Sequence, residues 1–203
     1  MKIICIGKNY MNHVQEFDKQ IPEQPLFFLK PDSAILQNNR PFFYPEFSNE
    51  IHYEVELVVK INRLGKYIQE KFAHRYYEDL GLGIDFTARD LQRHCIETGQ
   101  PWSVAKCFDQ SAVISPFVSK KQFPDLHDIT FSLYQNGKKV QEGNSGDMLF
   151  GIDRLISYLS QFMTLKTGDL IFTGTPSGVG TINLEDRLQG FMEDTKMFDF
   201  KIK

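Results

Sequence analysis

The stretch Glu-Ile-His-Tyr-Glu-Val-Glu-Leu-Val-Val-Lys-Ile, residues 50–61, is apolar at every odd position: Ile51, Tyr53, Val55, Leu57, Val59 and Ile61. Side chains on a strand alternate between faces, so the row predicts a strand with one buried face, from whose other side His52, Glu54 and Glu56 project together. Two residues' rise sets Glu54 and Glu56 about 6.6 Å apart, close enough to lean onto one ion. Taken alone, the alternation is also the ordinary pattern of a half-solvated antiparallel strand with an acidic outer face. Residues elsewhere in the chain decide between the two.

With 203 residues, 41% of them hydrophobic and 13% aromatic, the chain can bury a full core, and one domain over residues 1–203 is expected. Its 23 basic and 26 acidic residues, net −3, supply no polycationic surface for nucleic acid and no basic cluster beside a membrane. The apolar run within residues 1–8 is too short for a signal peptide, and no stretch approaches ~18 apolar residues, so a cytoplasmic address is expected. Cys5, Cys95 and Cys107 are odd in number and lack Cys-x-x-Cys spacing, which argues against a disulfide framework and against zinc.

Residues 2–6 predict a short strand, after which Asn9 can cap a helix with Tyr10, Val14 and Phe17 at i, i+4 and i+7. His13 and Glu16 share a face of that helix. The polar, Pro-bounded run 18–25 suits a mobile loop beside a cleft. Residues 26–30 and 42–44 predict further strands. Phe72, Tyr76 and Leu80, with Gly81 behind them, predict a helix over 69–80. Residues 82–87 read as a buried strand with Asp85 between Ile84 and Phe86, where an ionised carboxylate is costly unless paired or metal-bound. Thr87 and Asp90 are placed to cap a helix over 89–98, which Gly99-Gln100-Pro101 stops. Lys106 follows in an apolar setting, a partly desolvated cation.

In the last third, Asn136-Gly137 predicts a hairpin between residues 129–134 and 138–141. The set Met148, Ile152, Leu155, Ile156, Leu159 and Phe162 predicts an amphipathic helix lying on a sheet. A strand over 170–173 runs into Gly-Thr-Pro-Ser-Gly-Val-Gly, residues 174–180. That loop lacks the Gly-Lys-Ser/Thr ending of a phosphate-binding loop and suits a tight turn bringing Thr175 against a small ligand. Two terminal strands follow, the second with Phe198, Phe200 and Ile202 on one face.

Six segments stand in order along the chain: Gly-Lys-Asn-Tyr-Met-Asn-His-Val-Gln-Glu (7–16), Phe-Leu-Lys-Pro (28–31), His-Tyr-Glu-Val-Glu-Leu (52–57), Asp-Phe-Thr-Ala-Arg-Asp (85–90), Trp-Ser-Val-Ala-Lys (102–106) and Gly-Thr-Pro-Ser-Gly-Val-Gly (174–180). With them the chain resembles the fumarylacetoacetate hydrolase family from end to end, and within it the single-domain acylpyruvase and oxaloacetate decarboxylase branch. The resemblance implies an α+β, mainly β fold, a mixed β-sandwich roll with peripheral helices, assembled as a homodimer. It implies Mg2+ or Mn2+ at the mouth of the roll, with Glu54, Glu56 and Asp85 as ligands. It also puts Arg89 on the distal end of the substrate, with Gln92 and Thr175 as lesser contacts.

Three carboxylates without a thiol or an imidazole pair form a hard oxygen site, suited to Mg2+, Mn2+ or Ca2+. Its expected partner is a small anionic 2-oxo acid that chelates the ion. The ion is then expected to act as a Lewis acid toward the pyruvate enolate formed as the C3–C4 bond breaks, with Lys106 adding a fixed positive charge. For an acylpyruvate, water must be activated, and His13 oriented by Glu16 is the candidate base. The expected activity is acylpyruvate or fumarylpyruvate hydrolysis to pyruvate and a carboxylic acid, oxaloacetate decarboxylation, or both. The alternatives are isomerisation or decarboxylation of 2-hydroxyhepta-2,4-diene-1,7-dioate in aromatic degradation and, outside the enzymes, a divalent-cation-binding β module.

Overall fold

The computed structural model of the chain describes residues 1–11 and 21–203. In chain order its elements are β1 (Ile3–Gly7), β2 (Leu26–Lys30), β3 (Ile35–Gln37), β4 (Ile51–Tyr53), β5 (Val55–Ile61), α1 (Glu70–Ala73), β6 (Tyr77–Asp85), β7 (Thr87–Ala88), α2 (Arg89–Thr98), α3 (Ser103–Lys106) and β8 (Ala112–Ile114). They continue with β9 (Val118–Ser119), β10 (Thr130–Gln135), β11 (Lys138–Asn144), α4 (Ile152–Phe162), β12 (Leu170–Phe172), β13 (Gly180–Thr181), β14 (Arg187–Met192) and β15 (Thr195–Lys201). One mixed sheet runs β2-β1-β12-β5-β6-β8-β3 with β9 added beside β6, and its parallel pairs are β1 with β12 and β3 with β8. A second sheet runs β11-β10-β14-β15, and a small third one β13-β4-β7. The architecture is mainly β, a curled sheet with a few helices, as expected.

Apolar alternation accounts for the packing. Leu57, Val59, Leu82 and Ile84 of the large sheet share one buried cluster with Phe131, Leu133, Leu188 and Phe198 of the second sheet and with Ile152, Leu155, Ile156 and Leu159 of α4. The opposite face of the large sheet is covered too, by a cluster that includes Cys5, Val58, Ala112 and Phe172. The face that an ordinary antiparallel strand would leave half-solvated is therefore buried, and Glu56 on it is 1% exposed.

The 50–61 stretch forms two strands, not one. Its odd row is buried throughout, but the ladder breaks at Glu54: β5 pairs with β6 in the large sheet, whereas β4 pairs with β7 and β13 in the small one. Next to it, β6 ends at Asp85 and β7 begins at Thr87. Glu54 and Asp85 thus stand where two adjacent chains leave one sheet for another, joined by a hydrogen bond from Asp85 N to Glu54 O (2.8 Å).

Several local readings give way to tertiary pairing. The helix expected over 69–80 ends at Ala73, because residues 77–80 join β6, where Leu80 pairs with Val59 and both are fully buried. Gly81 is not a helix cap but part of that strand, where a Cβ would come within 3.1 Å of the Phe117 ring. Residues 42–44 yield only an isolated bridge between Phe42 and Ile202. The helix expected from Met148 begins at Ile152, since Met148 is extended in a bridge to Tyr10. By contrast α2 spans 89–98 and ends on Gly99 in the left-handed region (φ 68°). The hairpin turns through Asn136 and Gly137 at φ 53° and 81°, the signs a two-residue type I′ turn requires. Residues 12–20, which hold His13, Glu16 and most of the helix expected after Asn9 as well as the first three residues of the 18–25 loop, lie outside the described residues. Among the described residues no helix is long and apolar enough to cross a membrane.

Gly83 of β6 pairs with Glu56, and a Cβ there would come within 2.6 Å of both the Phe172 ring and the Val113 carbonyl oxygen. Gly83→Ala is expected to cost about 1–3 kcal/mol by overpacking. Urea unfolding midpoints measure it; a midpoint equal to wild type would mean that the strand pair yields without cost.

Candidate metal centre

Glu54, Glu56 and Asp85 are 6%, 1% and 1% exposed, and one oxygen from each lies within 4.8 Å of the others. Alternation along residues 54–56 turns both glutamates to one side, and the β5–β6 ladder brings Asp85 level with them.

Buried cations answer two of the three carboxylates. Lys106 at the end of α3 is 2% exposed; its Nζ lies 2.8 Å from both Glu54 Oε2 and Asp85 Oδ2 and donates to the Thr87 hydroxyl. This explains why Thr87 does not cap α2, whose N-cap position falls to Ala88 without a side-chain cap. Lys30 Nζ lies 2.8 Å from Asp85 Oδ1 and also donates to Ser111 Oγ (2.9 Å), the Phe86 carbonyl (3.3 Å) and the Lys106 carbonyl. Arg89 donates to Glu54 Oε1 and to Gln92 Oε1.

Glu56 differs. Among the described residues it makes no ion pair, and its Oε2 accepts from the Gly174 amide at 2.7 Å. Burial first, then the charges of Asp85 and Glu54, push its carboxyl well above the usual carboxylate range. For Lys106 burial acts in the opposite sense, but Asp85 and Glu54 outweigh it and hold the ammonium above its ordinary value. An oxygen-only donor set with one uncompensated member fits a hard divalent cation.

His52 does not join this cluster. With β4 in the other sheet, its Nε2 lies 2.9 Å from Glu50 Oε1 and its Nδ1 accepts from Arg89 Nε (3.3 Å). Burial and the adjacent Arg89 lower its pKa, which suits a neutral ring accepting that bond. Thr175 is at the edge of the site with its hydroxyl already engaged, donating to Val55 O (2.8 Å) and accepting from Gln141 Nε2 (2.9 Å). Asn9, read as a helix cap, instead ties two loops together, donating to Thr173 O and Phe150 O and accepting from Phe150 N. Gly174, at φ 101°, is free of a Cβ that would meet Asn9 at 2.8 Å. Lys30 was not among the expected site residues; its signal was a lysine closing an apolar strand in Phe-Leu-Lys-Pro. His13 and Glu16 lie outside the described residues.

A family model described as fumarylacetoacetate (FAA) hydrolase C-terminal matches residues 2–203. The chain is 40% identical over 201 residues to oxaloacetate tautomerase FAHD1, mitochondrial, of Mus musculus, covering 99% of this chain and 91% of that protein. It is 41% identical over 182 residues to the mitochondrial oxaloacetate decarboxylase of Dictyostelium discoideum, covering 89% and 84%. Its structure is similar, with TM-score 0.93 and 32% identity over 100% of this chain and 89% of the other, to fumarylpyruvate hydrolase from Pseudomonas aeruginosa in complex with Mn2+ and pyruvate.

The raised Glu56 carboxyl has a measurable consequence. The native state holds this proton more tightly than the unfolded chain, so the metal-free fold loses stability as pH rises from the ordinary value of 4.5 through the raised native one. Glu56→Gln removes that slope while keeping an acceptor for Gly174 N. In EDTA at about pH 8 the variant is expected to melt at or above wild type, and excess Mn2+ is expected to raise the melting temperature of wild type alone. A variant melting below wild type in EDTA would show that the Glu56 charge is not a burden on the fold.

Proposed function

This chain belongs to the fumarylacetoacetate hydrolase family, and we propose that it is a divalent-metal-dependent enzyme of 2-oxo and 2,4-dioxo acids, with oxaloacetate as the favoured substrate class. The observation that carries the reading is the buried cluster of Glu54, Glu56 and Asp85 faced by Lys30, Lys106 and Arg89. Glu54, Glu56 and Asp85 would hold Mg2+ or Mn2+, which when bound supplies a Lewis acid for the carboxylate and keto oxygens of the substrate. Among the described residues three cations match three carboxylates in number, so the two charges of the ion would be surplus, and a dianion such as oxaloacetate would restore the balance. A module that only bound a cation would gain nothing by burying three cations against its own ligands.

Lys106, kept charged by its neighbours, would offset the negative charge that gathers on the substrate oxygen as an enolate forms. Arg89, steadied by Gln92, would take the distal carboxylate. Losing CO2 from oxaloacetate and cleaving an acylpyruvate both break the C3–C4 bond and leave the pyruvate enolate, whereas removing a proton from C3 of oxaloacetate gives the related enolate that keeps its C4 carboxylate. These are the chemistries named by the similar tautomerase, decarboxylase and hydrolase. Only hydrolytic cleavage also needs an activated water, and for that step His13, oriented by Glu16 three residues on, is the proposed base. Residues 1–203 are taken as one catalytic unit with a cytoplasmic address. A homodimer is part of the same proposal.

Activity toward oxaloacetate and a panel of acylpyruvates, followed by keto–enol conversion and by pyruvate formed, is expected to require Mg2+ or Mn2+ and to vanish in EDTA. Lys106→Ala is expected to damage every reaction alike. His13→Ala is expected to lower acylpyruvate hydrolysis by roughly 10²- to 10⁴-fold while sparing oxaloacetate turnover. Metal-independent turnover would overturn the reading of the centre, and equal losses for both substrates would remove His13 as the water-activating base.

A further inference from the structure

The strand that carries Glu56 is short of a neighbour at the point where it matters. β12 pairs with β5 only at Val58, Val59 and Lys60, and beyond them Thr173 N and Oγ1 both reach Leu57 O, at 3.1 and 2.9 Å. Gly174 then turns the chain away. Successive residues of an antiparallel strand aim their peptide groups at alternate sides. Since Glu54 O faces β6 and takes the Asp85 amide, the N–H and C=O of Val55 face the side that β12 has left. Val55 is fully buried, and each peptide group left without a partner there would cost about 1–3 kcal/mol.

Two side chains stand in for the missing strand. Val55 N donates to Gln141 Oε1 (2.9 Å), Gln141 Nε2 donates to Thr175 Oγ1 (2.9 Å), and Thr175 Oγ1 donates to Val55 O (2.8 Å). The ring closes on the residue it started from. Gln141 Nε2 also donates to Pro176 O (3.0 Å), so both of its hydrogens and its carbonyl are used. Gln141 comes from β11, in the other main sheet, and is 2% exposed where an inward residue would ordinarily be apolar.

We infer that Gln141, with Thr175 as its relay, is a positioning residue for the metal ligands: it clamps both peptide groups of Val55, the one residue between Glu54 and Glu56, and so holds the two carboxylates at chelating separation. The inference rests on the metal-centre reading above. Among the described residues, the clamp supplies the hydrogen bonds that Val55 makes on the β12 side, next to the Glu54 corner where the chain changes sheets.

The test is Mn2+ affinity of the metal-free full chain, read from the free Mn2+ signal by electron paramagnetic resonance, with melting in EDTA recorded alongside. Gln141→Met and Thr175→Val are each expected to weaken Mn2+ binding by about 10- to 100-fold, the usual range for a partner behind the ligands. Thr175→Ser, which keeps the hydroxyl, is expected to bind as wild type. The double variant Gln141→Met, Thr175→Val is expected to lose no more than the weaker-binding single one, because both break the same ring. Thr175→Val carries the test even where Gln141→Met fails to fold. Wild-type Mn2+ affinity in the foldable variants, with only the melting temperature lowered, would make Gln141 a structural residue and overturn the inference. A wild-type protein that binds no Mn2+ would instead overturn the metal-centre reading itself, and this inference with it.

Discussion

Three carboxylates with oxygens within 4.8 Å of one another, inside a sheet corner closed to water, set the terms for everything around them. At an effective dielectric near 20, each pair of full charges at that distance repels by about 3–4 kcal/mol. The fold answers with Lys30, Lys106 and Arg89, and each of these, once buried, needs acceptors of its own. Lys106 takes Thr87; Lys30 takes Ser111 and the carbonyls of Phe86 and Lys106; Arg89 takes Gln92. The electrostatic demand of three side chains thereby fixes the relative positions of β2, β7, α2, α3 and the segment before β8.

The same corner explains where the sequence was legible. Odd-position burial over 51–61, the buried Asp85, the desolvated Lys106, the Asn136-Gly137 turn and the Gly99 stop are all written in eleven adjacent residues or fewer: period-2 alternation decides the first, apolar flanks the next two, and a glycine suited to positive φ the turn and the stop. The break at Glu54 is not local. It follows from β7 and β13 competing for residues 51–53 while β6 holds residues 55–61. α1 was overextended for the same reason: the i, i+4, i+8 recurrence of Phe72, Tyr76 and Leu80 was real, but Leu80 gained more by pairing with buried Val59 than a further helical turn could give.

Lys30 and Gln141 were harder still, because each reads as a neighbourly residue on its own strand. Lys30 looks like the polar end of an apolar strand, and Gln141 like one more polar position after a hairpin. What distinguishes them is a partner far along the chain, Asp85 for Lys30 and Val55 for Gln141. No periodicity within either strand could reveal those partners.

The uneven sharing of cations separates two jobs that the cluster has to perform. Glu54 and Asp85 are neutralised by side chains that cannot leave, so the pairs they form are permanent fixtures that keep positive charge beside the proposed metal centre. Among the described residues Glu56 is left with burial and one amide hydrogen bond, and its carboxyl is pushed well above the usual carboxylate range, so it is the member of the proposed centre that a bound cation would relieve most. A divalent ion would displace its proton, as it must from any carboxylate ligand. On the proposed function, relieving the fold and arming the site would then be the same event, and the residue least stable as a bare charge would be the one on which occupancy turns.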